Sequence, residues 1–175
     1  MAYEKKRESK DGIEEKVLLI RRVSKKTTGG NQINFSALVV VGDHAGKVGV
    51  GLGRGLEVPQ AIKKAIAYAR KHMITVPMRN GTIPHEVRTK HHAAVLILKP
   101  APVGVGLKVG SVVRSILSLA GVTNASAKIL GSRNHIANAY VTVKALASLK
   151  SHKVTETKKS AEVKVKKTLT ADKAN

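Results

Sequence analysis

The chain has 175 residues and carries 32 Lys and Arg against 11 Asp and Glu, a formal net charge of +21. So much like charge repels itself in a compact body, so a polyanionic partner is the economical explanation. Cysteine is absent, which excludes a disulfide framework and a thiolate metal centre. Residues 44–150 hold 16 Lys and Arg but only Glu57 and Glu86 as acids, too few for paired catalytic carboxylates or a magnesium cluster.

The opening MAYEKKRESKDG is charged and lacks an apolar signal core, so residues 1–12 read as a mobile segment of a chain that is not secreted. No apolar run approaches the roughly 18 residues of a membrane span. Aromatic residues are nearly absent: Tyr3, Phe35, Tyr68 and Tyr140. Single strands are gripped by stacking bases on rings, so a ring-poor basic protein is expected to hold backbone and shape instead.

KVLLIRRVS, 16–24, reads as a strand, and FSALVVVGD, 35–43, as a stronger one. Between them TTGGN and its flanking lysines read as a long, flexible, basic tip. HAG, 44–46, turns the chain into KVGVGLG, 47–53, a strand with glycine at alternate positions whose bare face suits close approach of another backbone. EVPQAIKKAIAYARKHM, 57–73, is a helix with Pro59 in its first turn. Glu57 lies near its positive end. Val58, Ala61, Ile62, Ala65, Ile66, Ala69 and Met73 form its buried stripe. Residues 13–75 thus make a three-strand, one-helix unit.

MRNGTI, 78–83, carries the Asn-Gly of a type I′ turn. AAVLILKPAP, 93–102, is a strand stopped by prolines. SVVRSILSLAG, 111–121, is a helix with Ser111 as N-cap and Gly121 as its stop. ASAKILG, 125–131, is a strand. NHIANAYVTVKALASL, 134–149, is a helix with an apolar line of Ile136, Tyr140, Val143 and Leu146. Residues 76–150 form a second α+β unit. No linker composition separates the two, so they are expected to pack together. The fold class is therefore α+β in two packed units. The last 25 residues hold seven lysines and no glycine, proline or aromatic residue, and 151–175 reads as a disordered basic tail.

Several motifs point to chemistry when taken alone. Gly49-Val-Gly51-Leu-Gly53-Arg-Gly55 precedes a helix as a phosphate loop would, but fits neither the dinucleotide nor the P-loop pattern. Its alternatives are tight strand–helix packing or exposed N–H groups for a nucleic-acid phosphate beside Lys63 and Lys64. PVGVGLKVGS, 102–111, distantly resembles the nucleotide loop of the galactokinase and homoserine kinase group. The Ser-Ser pair of that loop is missing and no acid nearby could hold magnesium, so a phosphotransferase is disfavoured. His91 and His92, adjacent on a strand, are expected on opposite faces and so not to share a metal. Neither a metal nor another cofactor is expected. At the hairpin tip Gly29 and Gly30 allow positive φ. Ser24, Lys25, Lys26, Thr27, Thr28 and Asn31 supply phosphate and sugar donors there.

Read as one string, residues 14–150 resemble the bacterial-type family of the fifth protein of the small ribosomal subunit. The resemblance rests on Arg22-Val23-Ser24-Lys25, Gly29-Gly30, Val41-Gly42-Asp43, Glu57-Val58-Pro59 with Ala61-Ile62, Asn80-Gly81-Thr82, and the stretch from Ala120-Gly121-Val122 to Gly131-Ser132. It implies an N-terminal domain like double-stranded-RNA-binding domains, a C-terminal α+β domain, and a non-catalytic, cytoplasmic role on small-subunit rRNA. That role lies near the head–body junction and the side where mRNA enters, and it supports assembly and decoding accuracy. The resulting RNA-binding set is Arg22, Ser24, Lys25, Lys26, Gly29, Gly30, Asn31, Lys47, Arg54, Lys63 and Lys64. Val23, Ser24, Lys25 and Gly30 match positions associated with spectinomycin resistance. Gly104, Arg114 and Arg133 are expected to meet neighbouring proteins, the fourth and eighth of the subunit. Where some relatives carry lysine and arginine around the glycine pair, this chain has Thr28 and Asn31. The alternative to the ribosomal reading is a free-standing RNA chaperone or double-stranded-RNA binder.

Overall fold

The structure, a computed structural model, describes residues 7–8 and 12–150. The rest of the opening segment and the tail 151–175, with the expectations made for them, lie outside those residues.

The first sheet has the order β1 (Arg7–Glu8), β2 (Glu14–Thr27), β3 (Gly30–Gly42), β4 (Lys47–Gly55), β5 (Ile74–Thr75), all antiparallel. The expected three strands are its centre; β1 and β5 add two residues at each edge. Between β4 and β5 runs α1 (Val58–Lys71). The second sheet has the order β6 (Val87–His91), β7 (Ala94–Pro100), β9 (Ala125–Leu130), β8 (Leu107–Lys108). There α2 (Ser111–Ala120) carries the chain from β8 to its parallel neighbour β9, and α3 (His135–Ala147) follows.

β3 is buried on both faces, which is why ALVVV reads as a continuous apolar run rather than an alternation. Ala37, Val39 and Val41 pack with Ala61, Ala65 and Ala69 of α1. Leu38 and Val40 point the other way, into one core with Leu96, Leu98, Ile116, Leu117 and Leu146. Helices α2 and α3 fill that space between the two sheets. The layers are therefore α1, first sheet, α2 with α3, second sheet.

On the α1 side the contact is backbone against backbone. A Cβ on Gly49, Gly51 or Gly53 would overlap the carbonyl oxygen of Ala69, Ala65 or Ala61 in turn. The glycine run is therefore the packing surface of α1, and the helix runs antiparallel to β4. On the other side the turn after β3 docks on the end of α2. His44 N and Gly46 N donate to the carbonyls of Leu119 and Ala120, each at 3.0 Å. His44 Nδ1 donates to Ser118 O at 2.9 Å, while its Nε2 meets Glu14 Oε2 at 2.8 Å. A helix leaves its last carbonyls without intrahelical donors; here a turn of the other unit supplies them.

Four expectations change at this level. α2 is capped by Gly110 rather than Ser111, whose carbonyl instead accepts from Ser115 Oγ. Gly121 does stop it, at φ 89°. The buried side of α3 is Asn138, Ala139, Val141, Thr142, Ala145 and Leu146, so of the expected line only Leu146 is fully buried. Helix α3 lies between α2 and the second sheet, and Ile136, Tyr140 and Val143 fall at the margin, only partly buried. Asn80 (φ 50°) and Gly81 (φ 73°) do form the primed turn, yet single bridges flank it in place of strands. Finally, His92 leaves the strand at φ 50°, which swings its ring onto His91 at 4.3 Å rather than to the opposite face.

The glycine contact is testable by denaturant unfolding. Gly51→Val should cost about 3 kcal/mol or more, because backbone must move. Gly29→Ala meets nothing within 4 Å and should stay within about 0.5 kcal/mol.

Candidate nucleic-acid interface

β4 ends at Gly55, opposite Phe35, but β2 and β3 continue paired with each other to Thr27 and Gly30. The hairpin therefore projects beyond the sheet by five residues per strand, about 17 Å. Residues 21–33 are exposed throughout. The expected long, flexible tip is instead a tight turn: only Thr28 and Gly29 lie outside the ladder. The left-handed conformation falls on Gly30 alone, at φ 135°. Thr27 Oγ1 donates to Gly30 O at 2.8 Å and clamps the turn. A two-stranded ribbon is marginal by itself in water; this one is the free end of two strands rooted in the core.

Alternation assigns its faces. Arg22, Ser24, Lys26, Asn31 and Ile33 share the α1 side of the sheet, in register with Ala37. Val23, Lys25, Gln32 and Asn34 share the other, together with Arg21 and Arg54, both of which oppose Ser36. No acid occurs between residues 16 and 42. Carboxylates at the base are engaged internally: Glu15 Oε1 accepts from Arg70 Nη2 at 3.1 Å, and Asp43 Oδ1 accepts from the N–H groups of Ala45 and Lys47 at 2.8 Å. Lys63 and Lys64 are exposed on the side of α1 away from Ala61 and Ala65. Because Gly53 and Gly55 lie under the first turn of α1, these lysines occur at the end of the sheet from which the ribbon leaves.

The structure thus brings Arg22, Ser24, Lys25, Lys26, Gly29, Gly30, Asn31, Arg54, Lys63 and Lys64 to one end of the first sheet. Lys47 stands at the opposite end, where β4 begins beside Thr75. In the second unit Gly104 (φ 94°) lies in the loop before β8 and Arg114 on α2 just after it. Asn124 Oδ1 accepts from Gly104 N at 3.1 Å and Gly106 N at 3.0 Å, and Arg114 Nη2 donates to Leu107 O at 3.2 Å. Arg114 and His44 line an open cleft of about 560 Å³ between the units. Arg133 follows the far end of β9 and is separate from that pair. Among the described residues no three His, Cys, Asp or Glu side chains gather to hold a metal ion.

Two consecutive family profiles match this arrangement: ribosomal protein S5, N-terminal domain, over residues 13–77, and ribosomal protein S5, C-terminal domain, over residues 89–160. The chain belongs to the ribosomal protein S5 family. It is 51% identical over 139 residues to the small ribosomal subunit protein uS5 of Thermus thermophilus, covering 79% of this chain and 86% of that protein. It is 48% identical over 137 residues to the small ribosomal subunit protein uS5 of Thermotoga neapolitana, covering 78% and 77%. The N-terminal unit accordingly has the double-stranded-RNA-binding-like fold of this family.

Arg21, Gln32 and Asn124 build these surfaces and were not singled out from sequence. The period-two alternation that puts Arg21 on the same face as Val23 and Lys25 could have pointed to it. Asn124 holds its loop across 20 residues, a contact with no local signal. Burial, His92 and Lys144, in that order, depress the pKa of His91 below its ordinary 6.5. The folded state then favours neutral imidazole, so this group's contribution to stability is complete above 6.5 and is lost as pH falls through the lowered value. An NMR titration should place the His91 midpoint below 6.5, and Lys144→Gln should move it back upward.

Proposed function

We propose that this protein is a non-catalytic structural constituent of the small ribosomal subunit in the cytoplasm. It binds small-subunit rRNA near the head–body junction and the side where mRNA enters, and supports assembly and decoding accuracy. The observation that carries this reading is the acid-free ribbon, rooted in a two-sided core and lined with donors on both faces, in a chain of the ribosomal protein S5 family. A narrow ribbon without aromatic rings or acids between residues 21 and 34 can enter a groove of folded RNA. Its hydroxyl, amide and ammonium groups meet phosphate and sugar there. Arg22, Lys25, Lys26, Arg54, Lys63 and Lys64 supply most of the affinity by releasing counterions. Lys47, at the far end of β4, extends the phosphate contacts to a second RNA segment. Gly104 and Arg114 form a contact with the fourth protein of the subunit, and Arg133 faces a different neighbour, consistent with the eighth.

Binding of the full chain to small-subunit rRNA should fall steeply with salt. Neutralising Lys63 and Lys64 together should flatten the log–log slope by up to about two; an unchanged slope removes both from the interface. Gly30→Val should leave thermal unfolding of the body nearly intact, since nothing lies within 4 Å of that position. At φ 135° a β-branched residue distorts the tip, so growth or the spectinomycin response of cells relying on the variant should change. Cells indifferent on both counts would make the tip a solvated turn.

A further inference from the structure

Phosphate contacts leave the exposed rings of this ring-poor chain without a task. Tyr68 and His72, four residues apart on α1 and at its C-cap, stack with centroids 4.1 Å apart and planes 23° from parallel. His72 is held from two directions. Its Nδ1 donates to Tyr68 O at 2.9 Å, and its backbone N–H donates to Ala69 O at 3.2 Å. The imidazole therefore backs one face of the phenol ring and sets its orientation. Tyr68 nonetheless stays 45% exposed. A stack made only to support the helix would not require that opening.

Along the helix itself the charge has one sign. Lys64 lies one turn before Tyr68 and Lys71 three residues after, both exposed, and residues 58–73 contain no acid. On α3, the pKa of Tyr140 is raised by burial and then by Tyr68, so the two phenols lie within electrostatic reach. Tyr140 is itself 5.9 Å from His91, whose ring touches His92.

We propose that the Tyr68–His72 stack is a platform for one unpaired RNA base, with Lys64 and Lys71 holding the phosphates on either side of it. This deepens the rRNA-binding reading and rests on it, adding a base contact to a surface otherwise assigned to backbone. A ring already fixed by its neighbour loses little rotamer freedom on binding. Its π-face accepts any base, so the site selects for an unpaired nucleotide rather than for a sequence. The nearby lysines favour a polyanion over an apolar protein surface.

The test uses the full chain and a single-stranded RNA carrying one 2-aminopurine in a pyrimidine run, titrated at several salt concentrations. The wild type and Tyr68→Phe should bind and change the 2-aminopurine emission. Tyr68→Leu, which keeps helix propensity and apolar volume, should bind roughly 5- to 100-fold more weakly, with an unaltered salt slope and no emission change. Neutralising Lys25 and Lys26 on the ribbon, outside the platform, should do the reverse, lowering the slope and sparing the emission change, so failure of the stack and failure of the phosphate grip are distinguishable. Tyr68→Leu binding as tightly as wild type with the same emission change would overturn the proposal. So would a photo-crosslinker at position 68 that, in assembled subunits, reaches only protein.

Discussion

Strand β3 carries contacts on both of its faces at once, and the remainder of the molecule is arranged around that fact. Toward α1 the surface is alanine and glycine, so helix and sheet meet at backbone distance and little side-chain volume is available to adjust. Toward α2 and α3 the surface is Leu38 and Val40, set among large aliphatic side chains that each contribute about 1.5–3 kcal/mol on burial. The first contact supplies geometry and the second supplies most of the apolar area. Neither works alone: glycine and alanine bury too little, and a one-sided sheet would leave the ALVVV run facing water.

That arrangement explains how a strongly cationic chain can present a thin ribbon to a polyanion. β2 and β3 are immobilised at their roots by the core and clamped at their tip by Thr27 and Gly30. The segment between need not find its conformation when it binds, so less of the phosphate attraction is offset by ordering. The His44 turn plays the matching part between the units, satisfying the last carbonyls of α2 and tying them to Glu14 at the base of β2. One end of the molecule is then suited to RNA, while the Gly104 loop, braced by Asn124, and Arg114 on α2 are set apart on the second unit.

Much of this could be read from residue pattern. The bare face of KVGVGLG offered the helix contact as one of two readings, Pro59 and the alanine spacing located α1, and Asn80-Gly81 gave the primed turn. The misread features depend on distant partners. The hairpin looked loose because TTGG is turn chemistry, whereas ladder pairing to Thr27 is imposed by strands whose roots lie in the core. The expected apolar line of α3 followed the three- and four-residue spacing of its apolar residues. The actual buried side is set by the contacts α3 makes with α2, β6 and β7, which are distant in sequence. His91 and His92 were assigned opposite faces because the end of β6 cannot be seen in two adjacent identical residues. Of the candidate site, the donor residues were legible from charge. Their division between two ribbon faces, and the separation of Lys47 and Arg133 from the rest, required the register.

The central claim is that a rigid, acid-free ribbon rooted in β3 meets RNA backbone. It is tested most directly by an electron-microscopy map of small subunits purified with this chain. The account predicts straight density for residues 21–34, with Arg22, Lys25 and Lys26 within hydrogen-bonding distance of phosphate or ribose oxygens, about 2.7–3.2 Å. A ribbon standing in solvent, or lying against protein alone in such particles, would contradict it.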